Sequence, residues 1–363
     1  MPTKILQVNK FYKPWIGGVE TLVEQIAEGL QSDFEMSILV CDDRLSNPAV
    51  GTPQIKIIKA RTLGVLFSMP LSLEFFRLFK KLSAENDIIH LHHPFPLAAL
   101  AAFFYRNRLK RKKLTLTYHS DIVRTKFLGL LFKPLLLWFL RRADSIATTS
   151  PKLAQNSKIL SRFPAKTTII PLAINADQVY PPAQKQDYCL FVGRLVGYKG
   201  LPYLIRALAG TGEKLKIVGR GPLEDQLKTL AVSLNLSGHI EFLGQVSDRE
   251  LADLYSHAKI FILPSISSNE AFGIVQLEAM AHGLPIINTA LPSGVTWVAR
   301  NGQEAITVAP KNIPQLRSAI INLAKGLNMR ERLGQQGKIR VEENFLMSHL
   351  VKNYKNFFQK ISQ

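Results

Sequence analysis

The residues best placed to do chemistry lie in the stretch Glu270-Ala271-Phe272-Gly273-Ile274-Val275-Gln276-Leu277-Glu278, where two carboxylates bracket an apolar run. The apolar segment Ile260–Leu263 just before it predicts a strand, and Gly273 is read as opening a helix. Glu270 then lies on the loop at the helix mouth, and Glu278 about one turn inside. Eight residues at a helical rise span roughly 12 Å. A nucleotide-sugar laid along that line would set sugar hydroxyls at one carboxylate and ribose hydroxyls at the other. Its diphosphate would fall near the N–H groups of the helix start, which favour anions. A solvated pair of glutamates at a helix start is the competing reading, and the pair alone does not choose.

Other loops add candidates. Gly193-Arg194-Leu195-Val196-Gly197-Tyr198-Lys199-Gly200 carries Arg194 and Lys199 on one glycine-rich turn, a fork and a point charge suited to gripping a diphosphate. Gly219-Arg220-Gly221-Pro222 resembles half of a dinucleotide fingerprint without its third glycine, and suits a nucleobase pocket. Gly17-Gly18-Val19-Glu20 opens the first predicted helix, and two glycines there let backbone N–H groups approach a phosphate; a plain tight turn is the alternative. His119-Ser120-Asp121 follows a strand, as a reactive histidine or as a helix cap with a bystander. His90-Leu91-His92-His93 invites a metal, but no acidic or cysteine partner follows at ligand spacing. No Asp-x-Asp is present, so a magnesium-clamped diphosphate is not expected, and Arg194, Lys199 and helix starts would do that electrostatic work. The phosphate loop of NTPases and the G-x-S-x-G elbow of hydrolases are also missing.

Short apolar strands must position these loops. In the first half they are expected at 4–8, 36–41, 55–59, 88–91, 114–118, 145–148 and 167–171, alternating with helices. Around 173–186 the pattern lapses into a connection bearing Pro181-Pro182. Alternation then restarts, with strands at 188–192, 214–218, 240–243, 260–263, 285–287 and 305–308 and a wholly helical tail from Met329. This predicts an α/β protein of two Rossmann-like parallel-sheet domains facing across a cleft, with C-terminal helices. The expected divisions are residues 1–172, residues 173–345, and a last helix at 346–363 that crosses back to the first domain. At 363 residues, 47% hydrophobic and 20% charged, the chain is long enough for two cores.

Cys41 and Cys189 lie far apart in apolar runs, which predicts free thiols and a reducing compartment. Met1-Pro2-Thr3-Lys4 leads directly into a strand, so no secretory signal is expected. No apolar run reaches membrane-spanning length; Phe127–Leu140 is either a core helix or one that dips into a membrane interface. The net charge of +19 is densest at Arg106-Asn107-Arg108-Leu109-Lys110-Arg111-Lys112-Lys113. Such an excess calls for an acidic partner, an anionic membrane or a phosphorylated acceptor rather than nucleic acid, because no aromatic residues interleave with that run.

Taken in order, Gly17-Gly18, His119-Ser120-Asp121, Gly193-Arg194 with Lys199-Gly200, Gly219-x-Gly221-Pro222, Phe242-Leu243-Gly244 and Glu270-x7-Glu278 resemble the retaining glycosyltransferase family 4 with its GT-B fold, over nearly the whole chain. Tyr118-His119-Ser120-Asp121-Ile122-Val123 and His93-Pro94-Phe95-Pro96 are most similar to bacterial O-antigen or exopolysaccharide enzymes, several of which use GDP-mannose or a related GDP-hexose. The resemblance implies that Gly17 and Gly18 face the donor diphosphate, which Arg194 and Lys199 neutralise. It places Gly219 in the nucleotide pocket. It implies that Glu270 and the backbone of Ala271, Phe272 and Gly273 hold the donor sugar, and that Ile274 and Val275 offer N–H groups near the phosphate. Glu278 takes the ribose, and His119 lies beside the reacting carbon. It implies no cofactor and no metal, a nucleotide-sugar donor, most simply GDP-mannose, and a lipid-linked (polyprenyl-diphosphate) glycan acceptor. The cytoplasmic enzyme would rest peripherally on the inner face of the plasma membrane through its basic N-terminal domain. Alternatives on the same fold are a UDP-sugar transferase, a nucleotide-sugar 2-epimerase and a non-catalytic basic binding protein. Ser267-Ser268-Asn269 departs from the acidic or bulkier residues of many relatives before Glu270.

Overall fold

The computed structural model describes residues 2–13, 17–42, 55–66, 69–121, 126–175, 177 and 184–362, with side chains from 132 onward in the helix that starts at Lys126. The chain forms two compact units, one of Met1–Pro171 with Ser348–Gln363, the other of Leu172–Met347.

The first unit is built on a parallel sheet of β1 (Lys4–Val8), β2 (Glu35–Asp42), β3 (Ile55–Arg61), β6 (Ile88–His93), β7 (Lys113–Tyr118), β8 (Ser145–Thr148) and β9 (Thr167–Ile169), ordered β3-β2-β1-β6-β7-β8-β9. A small antiparallel hairpin, β4 (Gly64–Leu66) and β5 (Met69–Leu71), stands outside it. The helices are α1 (Gly18–Leu30), α2 (Leu73–Glu85), α3 (Pro96–Phe104), α4 (Lys126–Arg142) and α5 (Pro151–Asn156). β6 is buried at every position, as a central parallel strand covered on both faces must be.

The second unit repeats the plan. Its sheet runs β12-β11-β10-β13-β14-β15, from β10 (Cys189–Val192), β11 (Leu215–Val218), β12 (Ile240–Gly244), β13 (Ile260–Leu263), β14 (Ile286–Thr289) and β15 (Ala305–Val308). Helices α6 (Leu201–Leu208), α7 (Glu224–Ser233), α8 (Asp248–His257), α9 (Val275–Ala281), α10 (Val295–Val298), α11 (Ile313–Lys325) and α12 (Leu327–Asn344) connect and cover the strands. α8 starts on a full capping box between Ser247 and Glu250.

Two sequence expectations change. The hairpin β4–β5 was not foreseen, because three-residue strands carry too little pattern. The helical tail divides into α12 and a last helix, α13 (Met347–Ser362), close to the expected 346–363. Phe345 and Met347 exchange backbone hydrogen bonds with Ile174, and this pairing interrupts the helix where no glycine or proline marks a break. Finally, Gly273 does not open a helix. Its φ of 76° is left-handed, and α9 starts two residues later.

α13 belongs to the first unit. Val351 fills the space beside Gly29 of α1, Tyr354 hydroxyl and Thr117 Oγ1 are 2.9 Å apart, and Phe358 meets the edge of His90. Lys355 pairs with Asp33 at 2.6 Å.

In both sheets the chain runs outward from the first strand and then returns to its other side, beside β6 in one unit and β13 in the other. Ligands of such sheets bind beyond the carboxyl ends of the strands at these reversals. The loops after β1, β6, β7, β10 and β13 are therefore the ones to examine.

Candidate active site

In the second unit the loops after β10 and β13 meet. Lys199 Nζ donates to Glu270 Oε2 at 2.5 Å, and Ser265 Oγ donates to the same oxygen at 3.1 Å. Both Lys199 and Glu270 are buried. Burial pulls the Lys199 ammonium down, but Glu270, Tyr198 and Glu278 outweigh it and hold its pKa above the usual lysine value. The pair is not saturated. Lys199 keeps two more N–H donors, and Glu270 Oε1 has no protein partner among the described residues.

Glycines make this geometry possible. Gly193 has φ 151°, and a Cβ there would lie 3.4 Å from Lys199 Nζ, so the lysine folds over its own loop. A Cβ at Gly219 would come within 2.2 Å of the Gly193 carbonyl oxygen, and one at Gly221 within 2.5 Å of that of Leu195. Gly219 and Gly221 are thus required by the packing of two loops, whatever they offer a base. Arg194 is exposed, and no ion pair to it is present among the described residues.

The backbone after Glu270 is unusually open. Among the described residues, the N–H groups of Ala271, Phe272, Gly273, Ile274 and Val275 donate to no protein acceptor. Phe272 is itself core, its ring 6.3 Å from those of Trp297 and Phe345, so only its backbone can face a ligand. Gln276 anchors the segment by donating to Val295 O and accepting from Asn288.

Glu278 lies in the first turn of α9 and accepts from the Tyr255 hydroxyl at 2.7 Å. Desolvation raises its pKa, against the Tyr255 hydrogen bond and the charge of Lys199. It also lines a cavity of about 1180 Å³ running along α8, together with Tyr255 and His282. Because α9 starts only at Val275, the two glutamates do not lie along one helical line, and the 12 Å spacing expected above does not apply. A turn joins them, with Lys199 in electrostatic reach of both.

In the first unit, Gly17 caps α1 in extended conformation, and Gly18 begins it with open space where a Cβ would stand. No packing demands a glycine at 18, as fits a backbone that a ligand approaches closely. The Glu20 carboxylate turns back beside Gly17. His119, just after β7, is buried. Its Nε2 lies 3.1 Å from His92 Nδ1, and its backbone N–H donates to His93 O. Burial pushes its pKa down to about 3, so the ring is neutral at physiological pH. His90 is bracketed by Thr115 and Thr117 at 2.8 and 2.9 Å and is also lowered to about 3. No cluster that could hold a metal occurs among the described residues, and the histidines' nearest partners are hydroxyls, an amide and one another.

The structure therefore gathers Lys199, Glu270, Glu278 and the Ala271–Val275 amides in the second unit, and holds Gly17, Gly18 and His119 at strand ends of the first. Sequence reasoning missed Ser265, Tyr255, Gln7 and His92 as partners of these groups. Tyr255 and Glu278 are 23 positions apart, and no local spacing signals their contact.

Two parallel-sheet units with a basic, amide-rich loop at a strand-order reversal define the doubly wound α/β class, whose ligands bind at such reversals. Comparison with known proteins narrows this. The family described as "Glycosyl transferases group 1" matches residues 174–340, and "Glycosyltransferase Family 4" matches residues 16–178. The chain is similar to "D-rhamnosyltransferase WbpZ" of Pseudomonas aeruginosa, 30% identical over 94% of this chain and 92% of that one. It is similar to "O-antigen chain mannosyltransferase C" of Escherichia coli, 28% identical over 98% of each. Among solved structures, Anabaena Alr3699/HepE in complex with UDP superposes with a TM-score of 0.79 at 18% identity, covering 99% of this chain and 100% of that one. The chain belongs to the family 4 glycosyltransferases of GT-B fold, and it is a glycosyltransferase.

Proposed function

We propose that the protein is a retaining, metal-independent mannosyltransferase. It would move mannose from GDP-mannose onto a polyprenyl-diphosphate-linked glycan in O-antigen or related surface polysaccharide synthesis. The names of the two relatives, a rhamnosyltransferase and an O-antigen mannosyltransferase, support the setting. The observation that carries the chemistry is the Lys199–Glu270 pair beside five consecutive unpaired backbone N–H groups, which suits a diphosphate and sugar hydroxyls without a cation. Lys199 and Arg194 would stabilise the departing diphosphate, with Gly17 and Gly18 offering backbone. Glu270 would hold sugar hydroxyls, Glu278 the ribose, and Gly219 the loop beneath the base. The bond from the anomeric carbon to the diphosphate oxygen breaks as the acceptor oxygen bonds to the same face. The acceptor proton passes to the departing phosphate oxygen. Neutral His119 positions the sugar rather than protonating the leaving group.

Incubation with GDP- and UDP-hexoses and polyprenyl-diphosphate glycans tests this. Acceptor-dependent release of GDP from GDP-mannose, unaffected by EDTA, is expected. Release of UDP instead would assign a uridine donor, and no release from any donor would sink the reading. Glu278→Gln should raise the donor KM roughly tenfold with kcat little changed, because a neutral amide hydrogen-bonds ribose hydroxyls more weakly than a carboxylate does. A fall in kcat with unchanged KM would show that Glu278 acts elsewhere.

We also propose a cytoplasmic location with the first unit resting on anionic lipid. No helix among the described residues is long and apolar enough to cross a membrane. Leu63 and Leu73 flank the hairpin β4–β5, Leu66 ends β4, and all three are exposed, as is Phe104 on α3, which packs against β5. Arg106 lies 4.8 Å over Phe103, and Arg108, Lys110 and Arg111 follow in the next turn. Apolar side chains beside such cations suit an anionic interface. Lys112 is not part of this face, since its Nζ caps the carbonyls of Ala84 and Asn86. Arg124, whose charge is expected to add to the same basic face, lies outside the described residues. Changing Arg108, Lys110 and Arg111 together to Gln should weaken binding to phosphatidylglycerol vesicles at least tenfold, at about 1 kcal/mol per charge. Unchanged sedimentation with vesicles would reduce the patch to solvated surface.

A further inference from the structure

We infer that His92 and Gln7 are positioning residues that hold His119 in a single tautomer, protonated on Nε2, so that His119 meets the substrate only through the lone pair on Nδ1. Gln7 fixes the direction of the chain. Its Nε2 donates to the backbone oxygen of Val23 in α1 at 3.1 Å, so its Oε1 is the group left to face His92, 3.0 Å away. A carbonyl oxygen only accepts, so His92 Nε2 must carry hydrogen. Burial lowers the pKa of His92 well below the usual histidine value, so the ring is neutral and its Nδ1 is a lone pair. That lone pair lies 3.1 Å from His119 Nε2, which must therefore donate. His119 is neutral too, which leaves its Nδ1 unprotonated, and Nδ1 has no partner among the described residues. All four members of the chain, the Val23 carbonyl included, come from buried positions on β1, α1, β6 and the end of β7. The two imidazole planes lie 15° apart with centroids 5.4 Å apart, and with 3.1 Å between the facing nitrogens the rings meet edge to edge.

The consequence for the reaction is specific. His119 can receive a hydrogen bond from a substrate hydroxyl, but it has no proton to give at Nδ1. It therefore selects a hydroxyl-bearing group and cannot act as the acid for the leaving diphosphate. This consequence rests on the proposed role of His119, whereas the tautomer does not.

Long-range proton–nitrogen NMR of the full chain labelled with 15N-histidine reads the tautomer directly, with His119 assigned by the signal lost in His119→Ala. The wild-type protein should show His119 protonated on Nε2 and bare on Nδ1. His92→Asn keeps an acceptor oxygen where Nδ1 stood and should preserve that state. His92→Leu should mix the tautomers and lower kcat roughly tenfold to a hundredfold with a smaller change in donor KM. A wild-type His119 protonated on Nδ1 overturns the inference without any variant. So does an unmixed Nε2–H form in a folded His92→Leu protein. Mixed tautomers with unchanged turnover would uphold the chain of hydrogen bonds and remove His119 from the proposed reaction.

Discussion

Replacing Lys199 by Ala is expected to lower kcat about 10²- to 10³-fold, the usual loss when a preorganised charge partner of a developing anion is removed. The same change should also destabilise the protein by about 3 kcal/mol, because Glu270 would stay buried without its counter-ion. The two losses have different causes and separate in the double variant. Lys199→Met with Glu270→Gln removes both charges, so the stability should largely return while turnover stays low. Glu270→Gln alone keeps the shape and should mainly slow turnover, since the amide still reaches sugar hydroxyls but no longer orients the ammonium. The checks are urea unfolding of each variant and steady-state kinetics with the donor varied. If Lys199→Ala kept near-normal kcat, or if stability stayed low in the double variant, the ion pair would not be the organising element of this site. Strong coupling is expected because the two side chains are in direct contact.

Gly219→Ala should be strongly damaging to the second unit. Gly219 has φ 121°, outside the range of L-residues, and the added Cβ would lie 2.2 Å from the Gly193 carbonyl oxygen. The obstacle is backbone, so no side-chain rotation relieves it. Conformational strain and overpacking together should cost about 3 kcal/mol. The loop that is pushed away is the one that carries Lys199, so donor binding should fall with stability. Gly212 and Gly238 supply the controls. Gly212→Ala meets a positive φ of 76° in open space and should cost only about 1 kcal/mol. Gly238→Ala meets neither obstacle and should be near neutral. Urea midpoints of the three variants check the order, and a Gly219→Ala protein as stable as Gly238→Ala would contradict it.

The cost of such positions explains why the glycine-rich loops looked weak as motifs. Gly193 stands on the loop expected to grip a diphosphate through Arg194 and Lys199, and Gly219 and Gly221 on the one expected to suit a nucleobase pocket. Two of the three are instead needed so that the loops after β10 and β11 can pass each other. Gly18 is the opposite case, since nothing in the fold asks for it. A sequence shows both as the same letter, and only packing tells them apart.

The amino-acid sequence by itself determined the alternation of strands and helices, the restart near residue 185, and the loops that carry Lys199, Glu270, Glu278 and His119. It could do so because buried parallel strands are unbroken apolar runs, and because ligand sites of this architecture follow strand ends. The short hairpin β4–β5 escaped, since three-residue strands have almost no periodicity. Only the tertiary structure decided that Lys199 and Glu270 form one buried pair, 71 residues apart, because β10 and β13 are neighbours only once the sheet order reverses. It alone showed that Gly273 breaks the line between the two glutamates. It alone showed that His92, one of the three histidines of the His90–His93 run, joins a directed chain of hydrogen bonds from Gln7 to His119, while His90 is held by Thr115 and Thr117. Spacing along the chain reports which residues share an element; partners brought together by strand order and loop packing have no spacing to report.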